Sequence, residues 1–152
     1  VLLKTDNLTI REKGVYVETN KLPSDYLYFK RLTPYVSKGQ CKGVAIRSSL
    51  KEEANVDSLV NELPSFEFEE TFHTLIGNRI HVYHNKDFII DKVELTYYRK
   101  PVFYDFKKLS TIVEFKDDIC ELLVDEAAKI ISSDIESLNA KALTESRVES
   151  NN

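Results

Sequence analysis

The dipeptide Gly77-Asn78 constrains this chain more than any other feature. It stands between Thr74-Leu-Ile76 and Arg79-Ile-His-Val-Tyr83, two runs of strand composition only two residues apart. Both loop residues tolerate the positive φ that tight hairpin turns require, so the flanking runs are expected to pair antiparallel. A sheet started in this way restricts the choices for everything around it.

The neighbouring segments continue the pattern. Residues 8–10 and 15–19 flank Glu12-Lys-Gly14 and predict a second hairpin. Residues 26–36 are aromatic and β-branched, but Pro34 removes a ladder donor, which suits an edge strand. Residues 42–48 predict a short strand. Ser49 followed by Glu52 reads as a capping box for a helix to about Leu63, which Pro64 ends. Asn85-Lys-Asp87 then turns the chain into a long strand from Phe88 to about Lys100, stopped by Pro101. In it Val93, Leu95 and Tyr97 share one face, and Glu94, Thr96 and Tyr98 the other.

The end of the chain has a different period. Ile119, Leu122, Leu123, Ala127, Ile130, Ile131, Ile135 and Leu138 recur at three- and four-residue spacings, predicting a helix over about 117–138. Asp118 and Glu121 can cap its start. Residues 139–152 are polar and read as a flexible tail. The sum is a single α+β domain over 1–138: a largely antiparallel β-sheet or sandwich, one internal helix and a long C-terminal helix. Its 152 residues allow one sizeable core. The chain begins at Val1 and contains no Met, so an N-terminal part of the native protein is expected to be missing.

Charge and motifs argue against several functions. The net charge of −4 gives no overall basic field for nucleic acid. Apolar runs such as Phe88-Ile-Ile90 are far shorter than the ~20 residues that cross a bilayer. Cys41 and Cys120 have no Cys or His at ligand spacing and read as free thiols. The four glycines build no phosphate cradle; Lys38-Gly-Gln-Cys-Lys-Gly43 comes nearest, but a strand follows where a helix is needed. His81 and His84 fall on opposite faces of one strand, and His73 stands apart, so no metal is expected. Glu67 and Glu69 alternate with Phe66 and Phe68 as the solvated side of a strand. No serine elbow is present, and Cys120 lies within a helical stripe. The expectation is a protein that is not an enzyme and has no cofactor.

One stretch remains, ELTYYRKPVFYDF at 94–106, with five aromatic rings and two cations. Tyr97 belongs with the core face, which leaves Tyr98, Arg99 and Lys100 as a small group for a single-stranded nucleic acid. The other reading makes the stretch a strand that runs out of the core into a protein interface. Arg99 and Lys100 then meet acidic groups of a neighbour, and Phe103, Tyr104 and Phe106 anchor the contact.

The order of segments resembles a known family. A Leu-Pro-x-Asp segment (Leu22 to Asp25) precedes a short strand near Cys41 and a helix ending before Pro64. A hairpin leads into a strand ending Leu95-Thr-Tyr-Tyr-Arg-Lys-Pro101, and the last helix contains Leu123-Val-Asp-Glu-Ala-Ala128. This order is similar to that of the ring or neck structural proteins joining portal to tail in crAss-like and related short-tailed bacteriophages. The resemblance implies a virion structural protein, assembled in the bacterial host cytoplasm. Its partners would be copies of itself in a ring and neighbouring portal, ring or tail proteins, with no membrane. Genome DNA would pass through the ring without specific binding. The alternative is a monomeric single-stranded nucleic-acid-binding module using Tyr98, Arg99 and Lys100.

Overall fold

The computed structural model describes residues 2–102, 107–108 and 114–149. The chain is mixed α+β, with mostly antiparallel sheets and a long C-terminal helix. It divides into two compact units, one from Leu2 to Pro101 and one from Val102 onward.

Nine strands are described in the first unit: β1 (Leu3–Leu8), β2 (Ile10–Glu12), β3 (Tyr16–Thr19), β4 (Tyr26–Lys38), β5 (Cys41–Ala45), β6 (Arg47–Leu50), β7 (Glu70–Ile76), β8 (Arg79–Tyr83) and β9 (Ile89–Arg99). They form a four-stranded sheet in the order β1-β9-β4-β5 and a five-stranded sheet in the order β2-β3-β8-β7-β6. Every pairing is antiparallel except β6 with β7. The β7–β8 hairpin turns where expected, with Ile76 opposite Arg79. Gly77 alone supplies the positive φ, at 62°, and Asn78 needs none.

The buried side chains come from both sheets. Leu32, Val36, Val93, Leu95 and Tyr97 on the first sheet cluster with Val17, Ile80 and Val82 on the second. Each fully buried Val or Leu contributes roughly 1.5–3 kcal/mol relative to exposure. The face expected for Val93, Leu95 and Tyr97 is the one buried.

Four expectations need correction. Strand β4 is not an edge strand throughout, because β9 flanks one side and β5 covers the other from Tyr35 onward. Pro34 fits there because that coverage begins one residue later, and its carbonyl still accepts the Ile46 amide at 3.0 Å. The capping box at Ser49 does not form. Ser48 to Leu50 instead pair parallel with Thr71 to His73, which satisfies their backbone in a sheet. The one expected internal helix is present within this segment in a shorter form, as a 3₁₀ turn at Glu53–Asn55 followed by one turn of α1 (Val56–Leu59). Residues 66–69 form a turn, not a strand, with Glu69 at φ 53°. Leu8 belongs to β1 opposite Val93, so the first hairpin starts at Ile10.

In the second unit α2 (Asp117–Glu149) runs for 33 residues and takes in most of the segment expected to be a flexible tail. No Gly or Pro interrupts it, and Ala, Leu, Lys, Glu and Arg carry the backbone onward at little cost. At 1.5 Å per residue it is about 50 Å long. Asp117 and Asp118 lie in its first turn, where carboxylates suit the macrodipole. Within this unit the helix leaves apolar side chains exposed, among them Leu122, Val124, Ile130 and Leu138 at 57–66%. No described helix is long and apolar enough to cross a membrane.

Candidate functional site

The end of β9 leads to an exposed patch. Tyr98 pairs with Leu3 on one side and with Tyr28 on the other, so three apolar side chains form a row across β1, β9 and β4. All three face solvent, with exposures of 45% for Leu3, 38% for Tyr98 and 68% for Tyr28. The Thr5 and Thr96 hydroxyls meet at 3.1 Å in the next row.

Two register shifts in β4 build this patch. Tyr26 pairs with Arg99 and Tyr28 with Tyr98, so Leu27 is extra. Phe29 pairs with Tyr97 and Arg31 with Thr96, so Lys30 is extra. A bulge puts one unpaired residue into a strand and re-aims its neighbours. The result is two exposed pairs, Leu27-Tyr28 and Lys30-Arg31, separated by half-buried Phe29. A strict alternation of two gives no such pattern, and for that reason Tyr28 and Arg31 were not visible as site residues in the sequence.

The residues expected to act with Tyr98 are distributed differently. Arg99 follows Tyr98 by one position and so belongs to the opposite face of β9. Its amide donates to the Leu2 carbonyl at 2.8 Å. Lys100 is exposed, and its amide donates to the Asp25 carbonyl at 2.6 Å. Phe103, Tyr104 and Phe106 lie outside the described residues.

Tyr97, one residue before the patch, carries a polar tie. Its ring is fully buried, and its hydroxyl lies 2.8 Å from both Asp6 Oδ2 and Asp25 Oδ1. Lys4 Nζ completes the group, 3.1 Å from each carboxylate. The Tyr97 hydroxyl, followed by the Lys4 ammonium, holds Asp25 below its ordinary pKa. Burial first, then the adjacent carboxylates, push the Tyr97 phenol well above its usual range. The hydrogen bonds to Asp25 and Asp6 raise Lys4. An acid–base pair needs one carboxyl held protonated near neutral pH, whereas Asp25 is driven the other way. The group fastens the Leu22-to-Asp25 segment to β9 and β1.

The histidines are each engaged locally. His84 Nδ1 accepts the Lys86 amide at 2.9 Å, which leaves Nε2 to donate to Glu12 at 3.0 Å. His81 pairs with Glu18 at 3.3 Å and stacks on Tyr16. His73 is buried, with Nδ1 2.7 Å from the Ser48 hydroxyl, and it lines a cavity of about 30 Å³ with Phe29 and Ile80. Burial lowers its pKa to about 4. Beside the Lys38–Gly43 turn an open cleft of about 530 Å³ gathers Lys38, Lys42 and Lys86, but Asp87 and Asp91 also line it. Lys38 is taken up by Asp87 at 2.5 Å, so the cleft is not a cradle of uncompensated positive charge.

In comparison with known proteins, no family model matches the chain and no curated protein gives a significant match.

Proposed function

We propose that this chain is a non-enzymatic structural protein that assembles with copies of itself into a ring around the DNA channel between portal and tail of a short-tailed phage. The observation that carries the assembly reading is the uncovered apolar surface of α2, where residues such as Leu122 and Leu138 are more than 60% exposed. Helical stability in proteins comes mostly from packing of an apolar face, so a helix of this kind calls for a partner. The place in a virion rests on the sequence resemblance. In this reading the two sheets are the layers of a sandwich that forms the body of each ring segment. The net charge of −4 suits a conduit that must not hold the DNA sliding through it.

A second reading has its own support. Tyr28 and Tyr98 stand side by side on an open sheet face next to Lys30 and Arg31, which resembles a small stacking platform for a single-stranded nucleic acid. Light scattering over a concentration series, with and without a single-stranded oligonucleotide at low and high salt, separates the two. Growth into a defined oligomer that ignores the oligonucleotide supports the ring component. A monomer that gains mass only with the oligonucleotide, and loses it at high salt, replaces it with the second reading. If 94–106 forms the ring interface, Phe103→Ala with Tyr104→Ala leaves a folded chain that no longer assembles; intact rings from this variant remove those two residues from the interface.

A further inference from the structure

We propose that β6 is an acid-released latch: the neutral ring of His73 holds it against β7 through Ser48, and a proton on that ring frees the strand. Every part of the device lies in the first unit, so it is independent of the assembly proposed above.

The ring sits where a charge has no partner. His73 is 1% exposed, its Nδ1 meets the Ser48 hydroxyl at 2.7 Å, and its Nε2 has no partner among the described residues. If the hydroxyl donates to Nδ1, a proton on that nitrogen removes the acceptor and breaks the tie. If Nδ1 donates instead, the proton goes to Nε2, and an N–H of a charged ring then lies among apolar walls with nothing to accept it. The surrounding elements offer no compensation. Tyr26 and Phe29 from β4, Leu50 from β6 and Ile80 from β8 line the same cavity of about 30 Å³. Tyr26 is the one titratable group among these four, and burial raises its phenol, so it stays uncharged in acid. Arg47 of β6 and Glu70 of β7 alternate onto the opposite face. Burial is the one cause that lowers the ring's pKa, to about 4.

The element that yields is β6. It has four residues, forms one edge of its sheet and pairs there with β7 alone. The strand's start is anchored, because Ile46 is buried and its amide donates to the Pro34 carbonyl at 3.0 Å. Its far end is held by the Lys51 amide, which donates to the His73 carbonyl at 2.9 Å, while Leu50 beside the cavity is 55% exposed. Release from the Leu50 end, with Ile46 as pivot, lets water reach the charged ring while the pairing of His73 with Val82 stays intact. It uncovers the β7 edge from Glu70 to His73 and the apolar wall made by Tyr26 and Phe29.

Hydrogen exchange of the whole chain at pH 7 and pH 4.5, corrected for the intrinsic pH dependence of amide exchange and repeated at several low urea concentrations, tests the latch. With β6 open His73 titrates at its ordinary 6.5, and with β6 closed at about 4, so the open population should rise roughly fifty-fold between the two pH values. The amides of residues 47–51 should show this rise without responding to urea, while those of β9 respond to urea as global unfolding requires. His73→Phe should remove most of the acid response at 47–51. Ser48→Ala should raise opening several-fold at pH 7 and keep the acid response. Exchange at 47–51 that follows urea as β9 does overturns the proposal, because the strand then opens only with the whole fold. An acid response unchanged by His73→Phe, or protection of 47–51 in Ser48→Ala equal to wild type at pH 7, overturns it as well.

Discussion

Burial of His73 makes the fold sensitive to acid through a single ring. Its Nδ1 meets Ser48, Phe29 packs at 5.4 Å between centroids, and Nε2 has no partner among the described residues. The native pKa of about 4 lies below the ordinary 6.5, so the unfolded chain takes up a proton that the native state refuses. In that window the unfolded state binds more protons, and stability therefore rises with pH. Acidifying from above 6.5 to 4 should remove up to about 3 kcal/mol through this residue. Asp25, held low, adds a loss only as pH falls below its ordinary 3.8. Urea midpoints at pH 7 and pH 4.5 check this: His73→Phe is expected to flatten most of the difference, and an unchanged difference assigns it elsewhere. Tyr97 supports a second prediction at this scale. Tyr97→Phe keeps the ring but leaves Asp6 and Asp25 without the hydroxyl between them, and hydrogen bonds to charged groups contribute about 1.5–3 kcal/mol. A loss of that order in denaturant unfolding at pH 7 is expected; a neutral result means that Lys4 and water serve the carboxylates equally well.

The β7–β8 hairpin is the element most directly written in the sequence, and its turn can be tested by itself. Gly77 sits at φ 62° with nothing within 4 Å of an added Cβ. Gly77→Ala should therefore cost about 1 kcal/mol through backbone conformation alone, while Asn78→Ala stays near neutral. Equal losses at both positions would mean that Asn78 is constrained too. Local signals of this sort also announced β9, whose alternation placed Val93, Leu95 and Tyr97 inside, and α2, whose spacing gave its start correctly. Other elements were not legible, for physical reasons. Ser49 and Leu50 have a helix-start pattern, but pairing with β7 overrode it. The tail beyond Leu138 has polar composition, yet with no breaker in it the helix continues to Glu149. The candidate site was half visible: Tyr98 stood out in its aromatic run, whereas Tyr28 and Arg31 reach the same face only because β4 bulges twice. A bulge depends on the partner strand, and the β9 partners at these bulges lie some seventy residues further along the chain.

At the scale of the whole molecule, the uneven distribution of charge matters more than the net −4. The acidic residues of α2 and the cations beside Tyr28 lie on separate units of one chain. If the self-assembly proposed above joins these surfaces, it gains from attraction between opposite charges, which salt screens with a Debye length of about 10 Å at 0.1 M. Raising salt from roughly 0.05 to 0.5 M should then shift the association midpoint to higher protein concentration without abolishing assembly, because the apolar part of the contact is insensitive to screening and strengthens with excluded salts. Pairing of α2 with α2 predicts the reverse, since salt would relieve repulsion between acidic helices. Arg31→Glu adds a control, because a repulsive contact at the sheet face should turn the wild-type salt weakening into salt strengthening. Sedimentation velocity at the two ionic strengths, with wild type and this variant in parallel, reads the sign directly. Salt weakening that the variant abolishes ties the assembly to the basic sheet face; salt weakening that persists unchanged in the variant moves the electrostatic contact to another surface.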